Sequence, residues 1–143
     1  MIVSGASAAL AALLNDGDAR RRLVAEASLA TPHVADAEVA HALRRHALTG
    51  AAPADDLARA LAAWQALAVL RYAVTALVGR VWELRADLSG YDAAYVALAE
   101  ALERPLVTAD ARLARAPGPR CPISVVTSGP HPSPRRGANG WWR

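Results

Sequence analysis

Met1, Ile2 and Val3 make a short apolar run closed by Gly5, and from Ser7 onward Ala8, Leu10, Ala11, Leu13 and Leu14 follow helical spacing. This pattern predicts a strand entering a helix through a small-residue turn, with Ser7 as the N-cap. Residues 15–18, Asn-Asp-Gly-Asp, break the helix, and 19–27 reads as a second, arginine-rich helix with Leu23, Val24 and Ala27 on its apolar side. Residues 28–31 form a candidate strand stopped by Pro32, followed by a helix over 34–48 that buries Val39 and Leu43 and ends at Gly50. Pro53, with Asp55 and Asp56 in the first turn, starts a helix that reaches Ala68 and contains Trp64.

Beyond it the alternation repeats. Residues 69–74 have strand character, and Thr75 opens a helix carrying Leu77, Val78, Val81, Trp82 and Leu84. Ser89-Gly90-Tyr91-Asp92 begins another helix with Tyr95, Val96, Leu98, Ala99 and Leu102 periodic behind it. A compact strand at 105–108, one helical turn at 110–114 and a last strand at 123–126 complete the order. Short strands alternating with helices predict an α/β fold: a three-layer α/β/α sandwich around a short parallel central sheet. Ligands of such folds lie at the carboxyl ends of the strands.

Composition sets bounds on this picture. A chain of 143 residues with 54% hydrophobic and 20% charged residues suits one packed domain rather than a disordered chain. The change to Pro, Gly, Ser and Arg after Thr127 divides it into a domain at 1–127 and a flexible tail at 128–143, ending Trp141-Trp142-Arg143. Cys121 stands alone, which excludes a disulfide scaffold, and His33, His41, His46 and His131 have no zinc-like spacing with it. No Lys or Arg precedes the apolar N-terminal run, and no stretch has the length of a membrane span, so the expected location is the cytoplasm. All 16 basic residues are arginine, as a GC-rich coding sequence produces. The formal charge of +3 and the pI near 9.7 invite a nucleic-acid reading, yet residues 1–127 hold 13 Arg and 13 acids and the excess lies wholly in the tail.

Three carboxylates fall where an α/β sheet places its chemistry. Asp110 follows the strand at 105–108, Asp92 lies in a first helical turn, and Glu38 sits in the helix after the strand at 28–31. Carboxylates brought from separate elements suit a hard divalent cation. Each also has an ordinary role: Asp92 in a capping box with Ser89, Asp110 as an N-cap, Glu38 as a solvated helix residue near Arg45.

The segments M-I-V-S-G-A-S-A, T-P-H-V-A-D-A-E-V-A-H-A-L-R-R, L-S-G-Y-D-A-A-Y-V-A-L-A-E-A-L and P-L-V-T-A-D-A-R-L together resemble the PIN-domain family, and most closely the VapC-type toxins of bacterial toxin–antitoxin pairs. The resemblance covers about residues 1–126. It implies an endoribonuclease that hydrolyses RNA phosphodiester bonds with Mg²⁺ or Mn²⁺ held by Glu38, Asp92 and Asp110, with Ser7 and Thr108 in support. It further implies neutralisation by a cognate antitoxin laid across the apolar early helices, and pairing as a homodimer. The family's first acid, in a D-x-S pattern, falls on Gly5, so that ligand position is vacant and the implied activity is feeble. The alternative is a non-catalytic PIN-fold binding module that keeps only antitoxin binding. A DNA-binding regulator would need a basic recognition helix, and Arg20–Arg22 is the only dense cluster.

Overall fold

The computed structural model describes residues 1–15 and 17–127. The expectations placed on Asp16 and on the tail at 128–143, Trp141 and Trp142 included, lie outside the described residues. Five parallel strands, β1 (Ile2–Ser4), β2 (Leu29–Pro32), β3 (Val69–Tyr72), β4 (Leu106–Thr108) and β5 (Ile123–Val125), form one sheet in the order β3-β2-β1-β4-β5. Val3 pairs with Ala30 on one side and Leu106 on the other, so β1 is the central strand. All three of its residues are buried, and a strand covered on both faces reads as continuous apolar sequence.

From β1 the chain winds outward through α1 (Ala6–Leu14) and α2 (Asp18–Val24) to β2, then through α3 (Val34–Thr49) and α4 (Ala54–Ala66) to β3. It returns through a 3-10 turn (Val74–Leu77), α5 (Val78–Glu83) and α6 (Gly90–Ala101) to β4, and α7 (Ala111–Arg115) leads to β5. Right-handed crossovers in opposite directions put α1–α4 on one face and α5–α7 on the other, which makes the three layers. The direction reverses between β1 and β4. A crevice therefore opens at their carboxyl ends.

α6 is the most deeply seated helix. Every side chain over residues 93–99 is buried, and four of these seven are alanines, which let the helix lie close on β1, β2 and β4. Its charged residues stand at its two ends: Asp92 in the first turn and Glu100 in the last. Gly50 ends α3 in the left-handed conformation, at φ +66°, where glycine carries no steric penalty.

Several elements depart from the sequence pattern for local reasons. Gly5, not Ser7, is the N-cap of α1, and Ser7 lies inside the first turn with its hydroxyl turned to β4. Pro32 is the last residue of β2 rather than its terminator, because the next donor to β3 is the His33 N–H, which reaches the Tyr72 carbonyl at 2.9 Å. The second helix stops at Val24, whose side chain is 77% exposed rather than buried. β3 ends at Tyr72, and the expected helix from Thr75 begins instead as the 3-10 turn. Trp64 is buried, whereas Trp82 is 67% exposed with the Arg85 guanidinium 4.6 Å from its ring centre.

Candidate active site

The carboxyl ends of β1, β2 and β4 carry the three buried polar residues found among the described residues, Ser4, Thr31 and Thr108. A buried hydroxyl needs a partner, and each finds one in the chain leaving the sheet. Thr31 Oγ1 donates to the Ser4 carbonyl at 3.1 Å and Ser4 Oγ donates to the Gly5 carbonyl at 3.2 Å. Ser7 Oγ lies 3.1 Å from Thr108 Oγ1 and accepts the Ala109 N–H at 3.0 Å, while Thr108 Oγ1 accepts the Asp110 N–H at 3.1 Å. Ser7 and Thr108 thus clamp the backbone that presents Asp110.

A cleft of about 640 Å³ opens above these ends, and Gly5, Glu38, Asp92, Thr108 and Asp110 all line it. The fold brings the three acids to this one cleft from α3, α6 and the β4–α7 junction. Glu38 accepts a hydrogen bond from the Tyr95 hydroxyl, which bridges α6 to α3 across the sheet edge. Burial pushes the Glu38 carboxyl above its ordinary value; the Tyr95 bond opposes the shift and the charge of Asp92 adds to it. Tyr95 itself, buried against that carboxylate, is held protonated, its hydroxyl pushed well up by burial and by Glu38.

Asp92 closes a reciprocal cap: Ser89 Oγ accepts the Asp92 N–H and donates to Asp92 Oδ2, both at 3.1 Å. Asp110 accepts the Arg112 N–H as N-cap of α7 and also takes a two-pronged contact from the Arg112 guanidinium, at 3.1 and 2.9 Å. That guanidinium holds the Asp110 carboxyl below the usual range. Both the capping roles and the shared cleft are therefore present in the same residues.

The donor set, three carboxylates and nearby hydroxyls, has the chemistry of a hard divalent-cation site. Among the described residues, however, no three His, Cys, Asp or Glu side chains stand close enough together to hold a metal ion. Gly5 contributes no side-chain oxygen. Its backbone, at φ −69° and ψ 152°, is ordinary for any residue, and a Cβ built there meets the Val107 carbonyl at 3.2 Å and Thr108 at 3.7 Å. A small side chain fits with a shift of a few tenths of an ångström.

Sequence reasoning missed the groups that hold these acids. Tyr95 falls three residues after Asp92, on the same helix face, so its proximity to the site was readable, but its partner Glu38 is 57 residues away. Arg112, two residues after Asp110, gave no signal of its own. His41 and Arg45, also in the cleft, continue the Glu38 face of α3 at i+3 and i+7. No helix among the described residues is long and apolar enough to cross a membrane.

A family model described as PIN domain matches residues 5–119 of the chain. Ribonuclease VapC9 of Mycobacterium tuberculosis is 57% identical over 126 residues, covering 88% of this chain and 98% of that protein. Ribonuclease VapC1 of the same organism is 45% identical over 107 residues, 74% of this chain and 80% of the relative. Among solved structures, M. tuberculosis VapC20, a sarcin-ricin loop cleaving toxin, superposes with a TM-score of 0.62 at 21% identity, over 80% of this chain and 94% of that one.

Proposed function

The chain belongs to the PIN-domain family, among its VapC-type ribonuclease toxins, and from that premise we propose that it is a divalent-metal-dependent endoribonuclease built around Glu38, Asp92 and Asp110. The observation that carries this reading is the convergence of these three acids, from three separate elements, on one cleft beside Gly5. When bound, Mg²⁺ or Mn²⁺ supplies charge neutralisation at the scissile phosphate and makes a water acidic enough to attack it. The protein's own part is positioning. Tyr95 fixes the Glu38 carboxylate, Ser89 fixes that of Asp92, and the Ser7–Thr108 pair fixes the backbone of Asp110.

Gly5 sets the level of activity. With no carboxylate at the end of β1, the site carries three acids where the family pattern has four, and water must complete it. A misplaced attacking group costs about 10²-fold in rate. Arg112 weighs the same way, since its guanidinium covers both oxygens of Asp110. The chain works in the cytoplasm as a homodimer, and its antitoxin neutralises it with a peptide or helix on α1, α2 and α4 and a basic side chain directed at the acids.

Calorimetric Mg²⁺ and Mn²⁺ titration, followed by cleavage of RNA by this chain and by Gly5→Asp, tests the reading. Feeble or no cleavage is expected from the chain as it stands, with a gain on the order of 10²-fold in the Asp variant. Strong cleavage by the present chain overturns the role given to Gly5. If neither protein cleaves but both bind antitoxin tightly, the protein is the non-catalytic binding module that a vacant first ligand and a covered Asp110 favour as the second reading.

A further inference from the structure

Residues 128–143 hold two large apolar side chains, Trp141 and Trp142, and the nuclease reading gives them no role. The chain that carries them leaves the domain at a defined place. Val126 is buried, its N–H bonded to the Thr108 carbonyl at 2.9 Å, and the Thr127 N–H donates to Asp18 Oδ2 at 3.3 Å. Asp18 is the first residue of α2, so residue 128 sets out from the start of that helix.

α2 leads from there to an apolar groove on the α1–α4 face. Gly17, Arg20, Arg21 and Val24, spaced three and four residues apart along one side of it, line a shallow channel of about 340 Å³. Arg20 and Val24 also line a groove of about 400 Å³ between α1, α2 and α4, walled by Leu13 and Leu67 and floored by Trp64, which is 3% exposed. Val24, at 77%, is the most exposed large apolar side chain among the described residues. It lies about 9 Å from Asp18 along the helix axis. Thirteen residues, 128–140, separate Thr127 from Trp141, and a coil of that length spans roughly 20 Å, enough to reach the groove.

We propose that Trp141 and Trp142 seat in the groove between α1, α2 and α4 of their own chain. The walls are aliphatic and the floor is an indole, which suits two further indoles packed in offset or edge-on contact. Arg20 borders the seat, and arginines of this chain already lie on indole faces twice, Arg71 on Trp64 at 5.2 Å and Arg85 on Trp82 at 4.6 Å. Arg20, Arg21 and Arg22 repel Arg135, Arg136 and Arg143, so the neutral indoles are the part of the segment that the groove accepts. Val78 and Trp82 also leave apolar area exposed, but on α5, in the layer opposite the point where the chain departs. Tethering makes the encounter intramolecular, at an effective concentration in the millimolar range, so even a weak seat is filled most of the time. The groove is also the surface assigned above to the antitoxin, which must then displace the two indoles; the seat itself stands without that assignment.

Fluorine NMR of the full chain labelled with fluorotryptophan resolves the four indoles, assigned by single Trp→Phe substitutions, with a synthetic peptide of residues 128–143 as the free reference. The Trp141 and Trp142 signals are expected away from the peptide positions, and Val24→Glu should return them there. Trp141→Ala combined with Trp142→Ala should shift Trp64 and leave Trp82 in place, and none of these positions should change on dilution of the parent. Signals at the peptide positions in the parent overturn the proposal. So do shifts that survive Val24→Glu, which put the indoles elsewhere, or that vanish on dilution, which put them on a second copy. In calorimetry, a groove filled about two-thirds of the time makes the double Trp variant bind the cognate antitoxin about threefold more tightly than the parent. Equal affinities alongside a seat visible in the spectra refute the antitoxin's place on α1, α2 and α4 and leave the seat of the two indoles standing.

Discussion

The Tyr95–Glu38 bond joins the two helical layers beside the cleft that the three acids line, and two effects compete there. Burial disfavours the Glu38 carboxylate, while a hydroxyl donor supplied from the opposite layer stabilises it. Tyr95→Phe removes only the donor and keeps the packing of a ring that is 4% exposed. The Glu38 carboxyl should then titrate higher still, which carbon-detected NMR of the side chain reads directly, and the fold should lose about 1–2 kcal/mol in urea unfolding. A titration point that stays or falls means that Tyr95 does not hold Glu38. At this scale the sequence was informative about position and silent about partners. Asp92 and Asp110 were readable as residues at a helix start and a strand end, because the signals for both are local. Asp36 was not singled out. It accepts from Trp64 Nε1 at 2.8 Å and from Arg71 Nε at 2.9 Å, residues 28 and 35 positions away, and nothing in periodicity reports such a meeting.

Among the elements, α6 shows how a buried helix can be secured at its ends. Ser89 and Asp92 cap its start; near its end Glu100 accepts from Arg80 Nε at 2.7 Å and Nη2 at 3.2 Å and from the Arg120 N–H at 2.7 Å, tying α6 to α5 and to the loop before β5. Burial acts against ionisation of Glu100, but the hydrogen bonds from Arg80 and Arg120 outweigh it and hold the carboxyl below its ordinary value. A depressed folded-state pKa means stability that is fully present above the unfolded value, near 4.5, and lost as pH falls through the lower folded value. Glu100→Gln should therefore cost about 1–3 kcal/mol at pH 7 and show a shallower loss of stability below pH 4.5 than the parent, measured by urea unfolding at a series of pH values. Equal acid limbs in the two proteins remove Glu100 as a determinant. Element type was legible wherever a cap or an apolar period was strong, as for α3 with Gly50 and α6 with Ser89. It failed where tertiary pairing overrode a local signal: Pro32 stays in β2 because His33 carries the ladder onward, and the strand at 69–74 is cut at Tyr72 by the turn into α5.

For the molecule as a whole, the order β3-β2-β1-β4-β5 fixes both the candidate cleft and a second surface on the α1–α4 face. There a groove of about 400 Å³ runs between α1, α2 and α4, lined by Ala12, Leu13, Val24 and Leu67 among others. Val24 is 77% and Leu67 40% exposed, so apolar area is left open beside Arg20 and Glu26. The sheet topology was legible because alternating short strands and helices admit few parallel arrangements. This groove was visible only as apolar early helices, since the end of α2 at Val24 decides which side chains remain outside. On the proposed function, antitoxin docking and RNA binding occupy different surfaces, and one substitution tests whether they are separate. Val24→Glu places a charge on an exposed side chain, where stability changes stay within about 0.5 kcal/mol, and leaves Glu38, Asp92 and Asp110 untouched in the cleft. It should weaken binding of the cognate antitoxin at least tenfold, by desolvating a carboxylate in an apolar contact, while binding of a labelled oligoribonucleotide in EDTA, read by fluorescence anisotropy, matches the parent. Unchanged antitoxin affinity would move the docking site off α2, and a parallel loss of RNA binding would show that the two surfaces are not independent.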